Sequence, residues 1–502
     1  MILTFLISTI FTVLIIGYLY LLWNYSYWKR VGLDYIEPQM FFGNFKEVIL
    51  QKVSLGEKYS KLYSTFKKKG AKHGGLFLLH QPVYMPLDLD IIKNILIKDF
   101  KHFMNHGLYV NEEIDPLTAH LFSLENEKWR RLRSKLTPAF TPGKIKMMFP
   151  TIMNCTRTLT ELLTSHAAEN KVVDIKQVIK EYAVEVIGCV AFSIDYNVLK
   201  EPNSEFKYFA KMFLEDNTFG TLLKCLIGLT VPKNILIKLG YRQTRLDFED
   251  FFMGLVRKTI QSREENSIEE TDFLKCLLQL KKENKNDFLT YNELTAQCFL
   301  FFIAGFEPPT IALTFAFLEL ALNPEIQEKL REEISLVLQE NENKLTYKNI
   351  MGMKYLNKVV HETIRKHPPG AGTIRVCNEN YKVPNTNIVL ESGTRVFIPI
   401  QGIHNDPDYY PDPENFDPER FNELNKSNRH PCAFLTFGEG PRTCLGSNLG
   451  LLQVKLALTT IIKDFQITLN PKTKLPIRYS PMSFSTWLEG GVWLDVSKIN
   501  KI

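Results

Sequence analysis

Hydrophobic and polar positions divide the chain into three stretches. From Ile2 to Trp23 there is no charge, and the first basic residues are Lys29 and Arg30. At helical rise such a stretch spans about 33 Å, enough to cross the hydrocarbon core of a bilayer. A cleaved leader has a basic start, a shorter apolar run and small residues at a cleavage site, and these are missing here. The basic residues follow the apolar run, which predicts a body on the cytoplasmic side. The expectation is therefore a transmembrane signal anchor over residues 1–24. A linker bearing Pro and Gly ("YIEPQMFFGNF") follows over 25–45, and a single large domain over 46–502.

Within the body, apolar residues recur at three- and four-residue spacing from about 46 to 370, as in "TIMNCTRTLTELLTSHA" and "PEIQEKLREEISLVLQE", which predicts helices. Short stretches suited to strands appear at "GGLFLLH", "NIVLESGTRVFIPI" and "GGVWLDVS". Between 367 and 447 Pro, Asp, Asn and Gly become frequent. A long irregular segment inside a compact domain is usually functional. The fold class that follows is mainly α with small β-sheets. One segment conflicts with itself. "FFIAGFEPPTIALTFAFLEL" (Phe301 to Leu320) reads as a buried helix, yet Pro308 and Pro309 interrupt it, each at a cost of about 3 kcal/mol in an ordinary helix.

Composition narrows the function. A net charge of +6 on 502 residues does not suggest a nucleic-acid binder, and 45% apolar residues supply a large core. The eight cysteines form no C-x-x-C pair and have no His cluster at zinc spacing, which suggests a reducing compartment rather than a disulfide framework. Cys444 stands apart, in "FLTFGEGPRTCLGSNLG". Gly438, Gly440 and Gly446 flank it, Arg442 precedes it by two positions, and a helical pattern follows. Glycines permit left-handed turns and close approach to a flat ligand. A loop entering a helix N-terminus offers free N–H groups that stabilise a thiolate. A lone thiolate suits a haem iron, because one axial ligand leaves the other face open to oxygen.

These residues carry a resemblance. F-G-x-G-x-R-x-C-x-G, matched by Phe437, Gly438, Gly440, Arg442, Cys444 and Gly446, is similar to the haem-ligand signature of the cytochrome P450s. Asn448 and Leu449 depart from the usual Arg-Phe, a packing difference. Glu362 and Arg365 in "HETIRKHPP" resemble the family's E-x-x-R, and Arg420 in "DPENFDPERF" its third member, a brace beneath the haem. Trp129 and Arg133 match the W-x-x-x-R helix that reaches the haem propionates, and Arg375 falls where another propionate partner is expected. The stretches "WKRVGLDYIEP" and "HNDPDYYPDPENFDPERF" are similar to the microsomal insect enzymes that oxidise plant toxins and insecticides.

The resemblance implies a single-pass protein of the endoplasmic reticulum membrane that binds haem b. Its iron is held by Cys444, and Trp129, Arg133, Ala304, Arg375, Phe437, Arg442 and Gly446 contribute to the cofactor site. It implies a monooxygenase acting on an apolar small molecule of the xenobiotic class. Electrons would come from NADPH through a separate reductase, with cytochrome b5 as a further partner, since no dinucleotide fingerprint is present in the chain. Phe301 and Ala304 are expected to line the substrate pocket; Phe103, His106, Leu121, Phe122, the stretch 371–373 and the pair 483–484 are further candidates by position, each of which ordinary core packing also explains. The family's central helix reads A/G-G-x-D/E-T, and here Ala304, Gly305 and Glu307 are kept while Pro308 replaces the Thr that assists proton delivery. The helix is expected to continue past Pro309, kinked. Glu307 is the expected catalytic residue, and Thr310 is a weak substitute pointing about 200° away from position 308. Two other functions fit a haem-thiolate chain: a peroxide isomerase or dehydratase without a reductase, which Pro308 motivates, and a haem-binding protein without turnover.

Overall fold

The computed structural model of the chain describes residues 1–194, 198–199, 207–210, 212, 219–266, 272–283 and 289–499. The charge-free N-terminus forms one helix, α1 (Ile2–Tyr25). Its apolar side chains are exposed on every face, from Met1 to Trp23. Such a helix has no apolar partner in water and is long and apolar enough to cross a membrane.

The segment after it does not hang free as a linker. Trp28 is fully buried and donates its indole N–H to the carbonyl of Leu76 at 2.8 Å. The Tyr25 hydroxyl donates to Leu79 O at 3.1 Å. A Cβ at Gly75 would lie 2.4 Å from the Trp28 ring, so only glycine lets the indole lie on the strand there. Tyr25, Trp28 and Phe45 are buried beside the first sheet, packing which their sequence alone did not disclose.

That sheet is built from the hairpin β1 (His73–Leu78) and β2 (Gln81–Pro86). A three-stranded sheet joins β3 (Val173–Asp174), β8 (Phe465–Leu469) and β9 (Trp493–Lys498), in the order β3-β9-β8. The first sheet gains β4 (Thr373–Val376) and β7 (Arg395–Ile398), in the order β1-β2-β7-β4 with β2 and β7 parallel. A small pair, β5 (Tyr381–Lys382) and β6 (Val389–Leu390), lies between them in sequence. Parallel pairing across some three hundred residues brings Arg375 on β4 close to the start of the chain.

The helices that position the site are α2 (Asn126–Leu136), α3 (Pro142–Ala168), α4 (Ile175–Phe192), α5 (Tyr291–Leu322), α6 (Lys354–Lys366) and α7 (Ser447–Asp464). α5 is the axis of the body and packs on α4, α7 and α6. It starts at a capping box, in which Thr290 Oγ1 accepts from the Glu293 N–H and Glu293 reaches back to the Thr290 N–H. From there it runs unbroken through Pro308 and Pro309. The prolines delete the two N–H groups that would bond Ala304 and Gly305, while burial of Phe306, Pro309, Thr310 and Ile311 holds the helix together across the gap. Gly305 is where α5 meets α4 most closely, since a Cβ there would lie 2.2 Å from Ile187 Cδ1.

Candidate functional site

The loop from Phe437 to Gly446 folds back so that the Cys444 N–H donates to Phe437 O at 2.8 Å. Gly438 and Gly440 take φ of 70° and 72°, and a Cβ on Gly440 would lie 2.0 Å from Leu96 O. No other residue fits that turn. Cys444 is the one exposed cysteine of the eight. Even so, burial raises its pKa, with the Gly446 N–H and the Arg133 charge acting in the opposite direction. A sulfur that is both surrounded by protein and open to a solvent-sized probe faces an internal void. Ala304 is likewise exposed in the middle of the otherwise buried α5.

A buried network braces that loop. Arg365 makes a two-pronged pair with Glu362, at 2.8 Å for both contacts, with both side chains fully buried. Glu362 also accepts from the Asp417 N–H at 3.0 Å and faces Arg420 Nε at 3.4 Å. Arg365 extends to the carbonyls of His404 and Pro413 at 3.0 and 2.8 Å. His404 closes the path. Its Nε2 accepts from the Leu435 N–H at 2.9 Å, so its Nδ1 carries the proton and donates to Arg365 O at 3.1 Å. Burial and then the Arg365 charge pull the pKa of His404 down to about 3, keeping the ring neutral. Thr436 adds a bond to Ile364 O at 2.9 Å, which pins the strand leading into Phe437 onto α6.

Arginines gather on the loop, on α2 and on β4. The Arg442 guanidinium lies 4.1 Å over the Trp129 ring and donates to the carbonyls of Met104, Leu121 and Leu124. Burial, then the neighbouring Arg375, press its pKa down to about 9; Glu125 opposes them and Arg133 acts with them. Arg375 is almost fully buried, bonds Thr373 and Ile374 O, and leaves Nε without a partner; burial lowers its pKa to about 10. Trp129 Nε1 is also unpartnered. Among the described residues, none of these three guanidiniums has a carboxylate in ion-pair contact. Buried like charges and orphaned donors favour an anionic partner. A flat macrocycle with two carboxylates fits that donor set, with Cys444 as the candidate thiolate ligand.

The other face of α5 borders a cavity of about 350 Å³. Phe299, Ile303 and Glu307, four residues apart, face it together with Phe248, Ser483 and Phe484. Glu307 Oε1 accepts from the Trp487 indole N–H at 2.9 Å, and burial raises its pKa. One expectation is corrected. Neither Phe301 nor Ala304 is among the residues lining this cavity, and the Phe301 ring stacks on Phe273 at 4.1 Å inside the core. Thr310 is fully buried and its hydroxyl donates to Phe306 O at 2.6 Å, turned away from the face of position 308 as helix geometry predicts. Sequence reasoning missed Phe299 and Ile303, which stepping back by four from Glu307 would have found. It also missed Trp487, for which no local signal exists.

The family model described as "Cytochrome P450" matches residues 36–490. This chain belongs to the cytochrome P450 family. Similar curated proteins include insect cytochromes P450. Cytochrome P450 6A1 of Musca domestica is 39% identical over 487 residues, covering 95% of each chain. Cytochrome P450 6a2 of Drosophila melanogaster is 37% identical over 488 residues, 95% of this chain and 96% of its own. Probable cytochrome P450 6a13 of the same fly is 35% identical over 500 residues, 99% of each. The chain is thus a P450 monooxygenase, an oxidoreductase using haem iron with a cysteine thiolate ligand.

Proposed function

We propose that this P450 oxidises an apolar small molecule of the xenobiotic class, drawing electrons from NADPH through a separate reductase. The observation that carries the reading is the Cys444 thiol, exposed although its surroundings are protein, in a glycine-turned loop beside guanidiniums that have no carboxylate partner. Bound haem supplies the oxygen activation that no protein side chain provides. Cys444 Sγ holds the iron, and the Gly446 N–H stabilises its negative charge. Trp129, Arg133, Arg375 and Arg442 neutralise and orient the two propionates. Phe437, Gly446 and the small Ala304 would border the bound haem. Burial raises the pKa of Glu307 at the cavity wall, against the hydrogen bonds from Trp487 and Ser485, which suits the carboxyl to exchanging a proton there. Pro308 offers no hydroxyl to pass that proton on, so Glu307 and water form the relay, with more peroxide leaking than in a Thr-bearing enzyme.

The body is residues 46–502 together with the packed segment 25–45, tethered by the helix over 1–24 to the endoplasmic reticulum membrane with its catalytic domain on the cytoplasmic side. The exposed Arg130 and Arg131 on α2, with Lys144 and Lys146 on α3, present a basic face to an acidic reductase and to cytochrome b5. The test is oxygen consumption by the full-length holoprotein with added NADPH–cytochrome P450 reductase. NADPH-dependent uptake is expected. Turnover of organic peroxides with no NADPH consumption would replace this reading with the isomerase one.

A further inference from the structure

Among the described residues lining the cavity beside α5, Glu307 alone carries a carboxyl group. Trp487 holds its Oε1 and is itself held, donating its backbone N–H to Ser485 O at 2.8 Å and accepting from the Ser480 N–H at 2.7 Å. An indole N–H is only a donor: it fixes the carboxyl but cannot cancel its charge. Position 308, the neighbouring face of the helix turn, offers no alcohol because it is proline. Among the described residues no Lys, Arg or His lies close enough to Glu307 to offset its charge. Phe248, Phe299 and Phe484 supply aromatic walls, whose ring faces attract cations.

We propose that Glu307 is the anchoring carboxylate for substrates that carry an organic cation on an apolar body, with the aromatic walls completing the ammonium subsite. The proposal rests on the monooxygenase reading only in taking this cavity to be where substrate sits. An uncompensated carboxylate in an apolar cavity is unfavourable, and burial raises the pKa of Glu307 accordingly. A bound cation removes that penalty, whereas a neutral ligand of the same shape leaves it in place. The other charged groups nearby do not compete for this role. His120 lines the cavity but burial drops its pKa to about 4, so it is neutral. Lys224 and Arg245 are at the exposed rim, with Arg245 paired to Asp247 at 2.7 Å. Lys176 and Lys180 sit against the Trp487 ring, 5.8 and 5.1 Å from its centroid, and Lys176 is spent on the carbonyls of Leu488 and Gly490.

The experiment uses the full-length holoprotein and two probes: a quaternary phenylpiperidinium and its isostere in which carbon replaces the charged nitrogen. The quaternary nitrogen has no lone pair, so it cannot ligate iron. Calorimetric titration reads both affinities without turnover. The cation should bind about tenfold more tightly than the isostere. That ratio should fall to near one in Glu307→Gln and drop severalfold in Trp487→Phe, with the isostere unaffected. In the unmodified protein, cation affinity should decline as pH falls through the raised pKa of Glu307, while isostere affinity stays flat. Equal affinities in the unmodified protein, or an unchanged ratio in folded Glu307→Gln, would overturn the proposal. If Glu307→Gln does not fold, Trp487→Phe and the pH profile decide. Loss of NADPH-dependent oxygen uptake with the ratio intact would remove the monooxygenase reading alone.

Discussion

Two regions of the molecule are held in opposite ways. On the lower side, the Cys444 loop is fixed by residues that can hardly be replaced: glycines at positive φ, a buried two-pronged ion pair, and a neutral His404 bonded at both ring nitrogens. On the upper side, the wall of the cavity beside α5 is assembled from several distant segments, and some of its members, such as Met482 and Phe484, remain exposed. The lower side tolerates almost no change because each group there answers a buried polar demand. The upper side has few such demands and is free to vary. A single protein can thus keep a fixed loop and an adaptable pocket.

The sharpest way to break this contrast is at the thiol. Cys444→Ser should abolish the red-shifted absorbance of the reduced carbon monoxide complex, and Cys432→Ser, a buried thiol twelve residues away, should leave it intact; a band kept by both variants would refute the ligand assignment. Next is the brace. Arg365→Ala leaves Glu362 charged and buried, and denaturant titration should show a loss of about 3–5 kcal/mol. Phe484→Ala on the upper side should stay within about 0.5 kcal/mol, so similar losses at both would erase the difference between the sides.

Acid should also find the lower side first. His404 has its folded pKa lowered from 6.5 to about 3, so the unfolded chain binds its proton more readily and stability falls as pH drops below 6.5. At pH 5 the loss from this residue is about 2 kcal/mol. His404→Gln, less stable at neutral pH, should show a shallower decline in stability between pH 6.5 and 4. On the upper side Pro308→Thr should barely change stability yet reduce the peroxide released per NADPH. Tight coupling in the unmodified enzyme, lost in Thr310→Ala, would instead restore Thr310 as the relay. The smallest effect lies at the surface. Charge reversal of Arg130 and Lys144 should leave stability within about 0.5 kcal/mol and slow reduction only at low salt. Unchanged reduction rates at low salt would make that face a solvated surface and nothing more.

How far each region could be read without coordinates follows the same division. Cys444, Arg442 and their glycines lie within ten residues of one another, and the turn they form is demanded locally, by backbone sterics. Glu362 and Arg365 are likewise one helical turn apart. α1 was legible because an uncharged run of that length has few other fates. The packing of Trp28 on Gly75 was not, because nothing in "NYSYWKR" says which strand will receive the ring.

The sequence by itself therefore determined the family, the candidate thiol ligand, the Glu362–Arg365 pair and the helical character of α5 despite Pro308 and Pro309. These depend on neighbours in the chain, on local sterics and on short spacings, which a string of residues records. Only the tertiary structure decided that Phe299 rather than Phe301 faces the cavity, that Thr310 is spent on Phe306, and that Trp487 holds Glu307 from 180 residues away. Which side of a helix faces a void is set by what packs on its other sides, and for a helix buried all round, apolar periodicity carries no such direction.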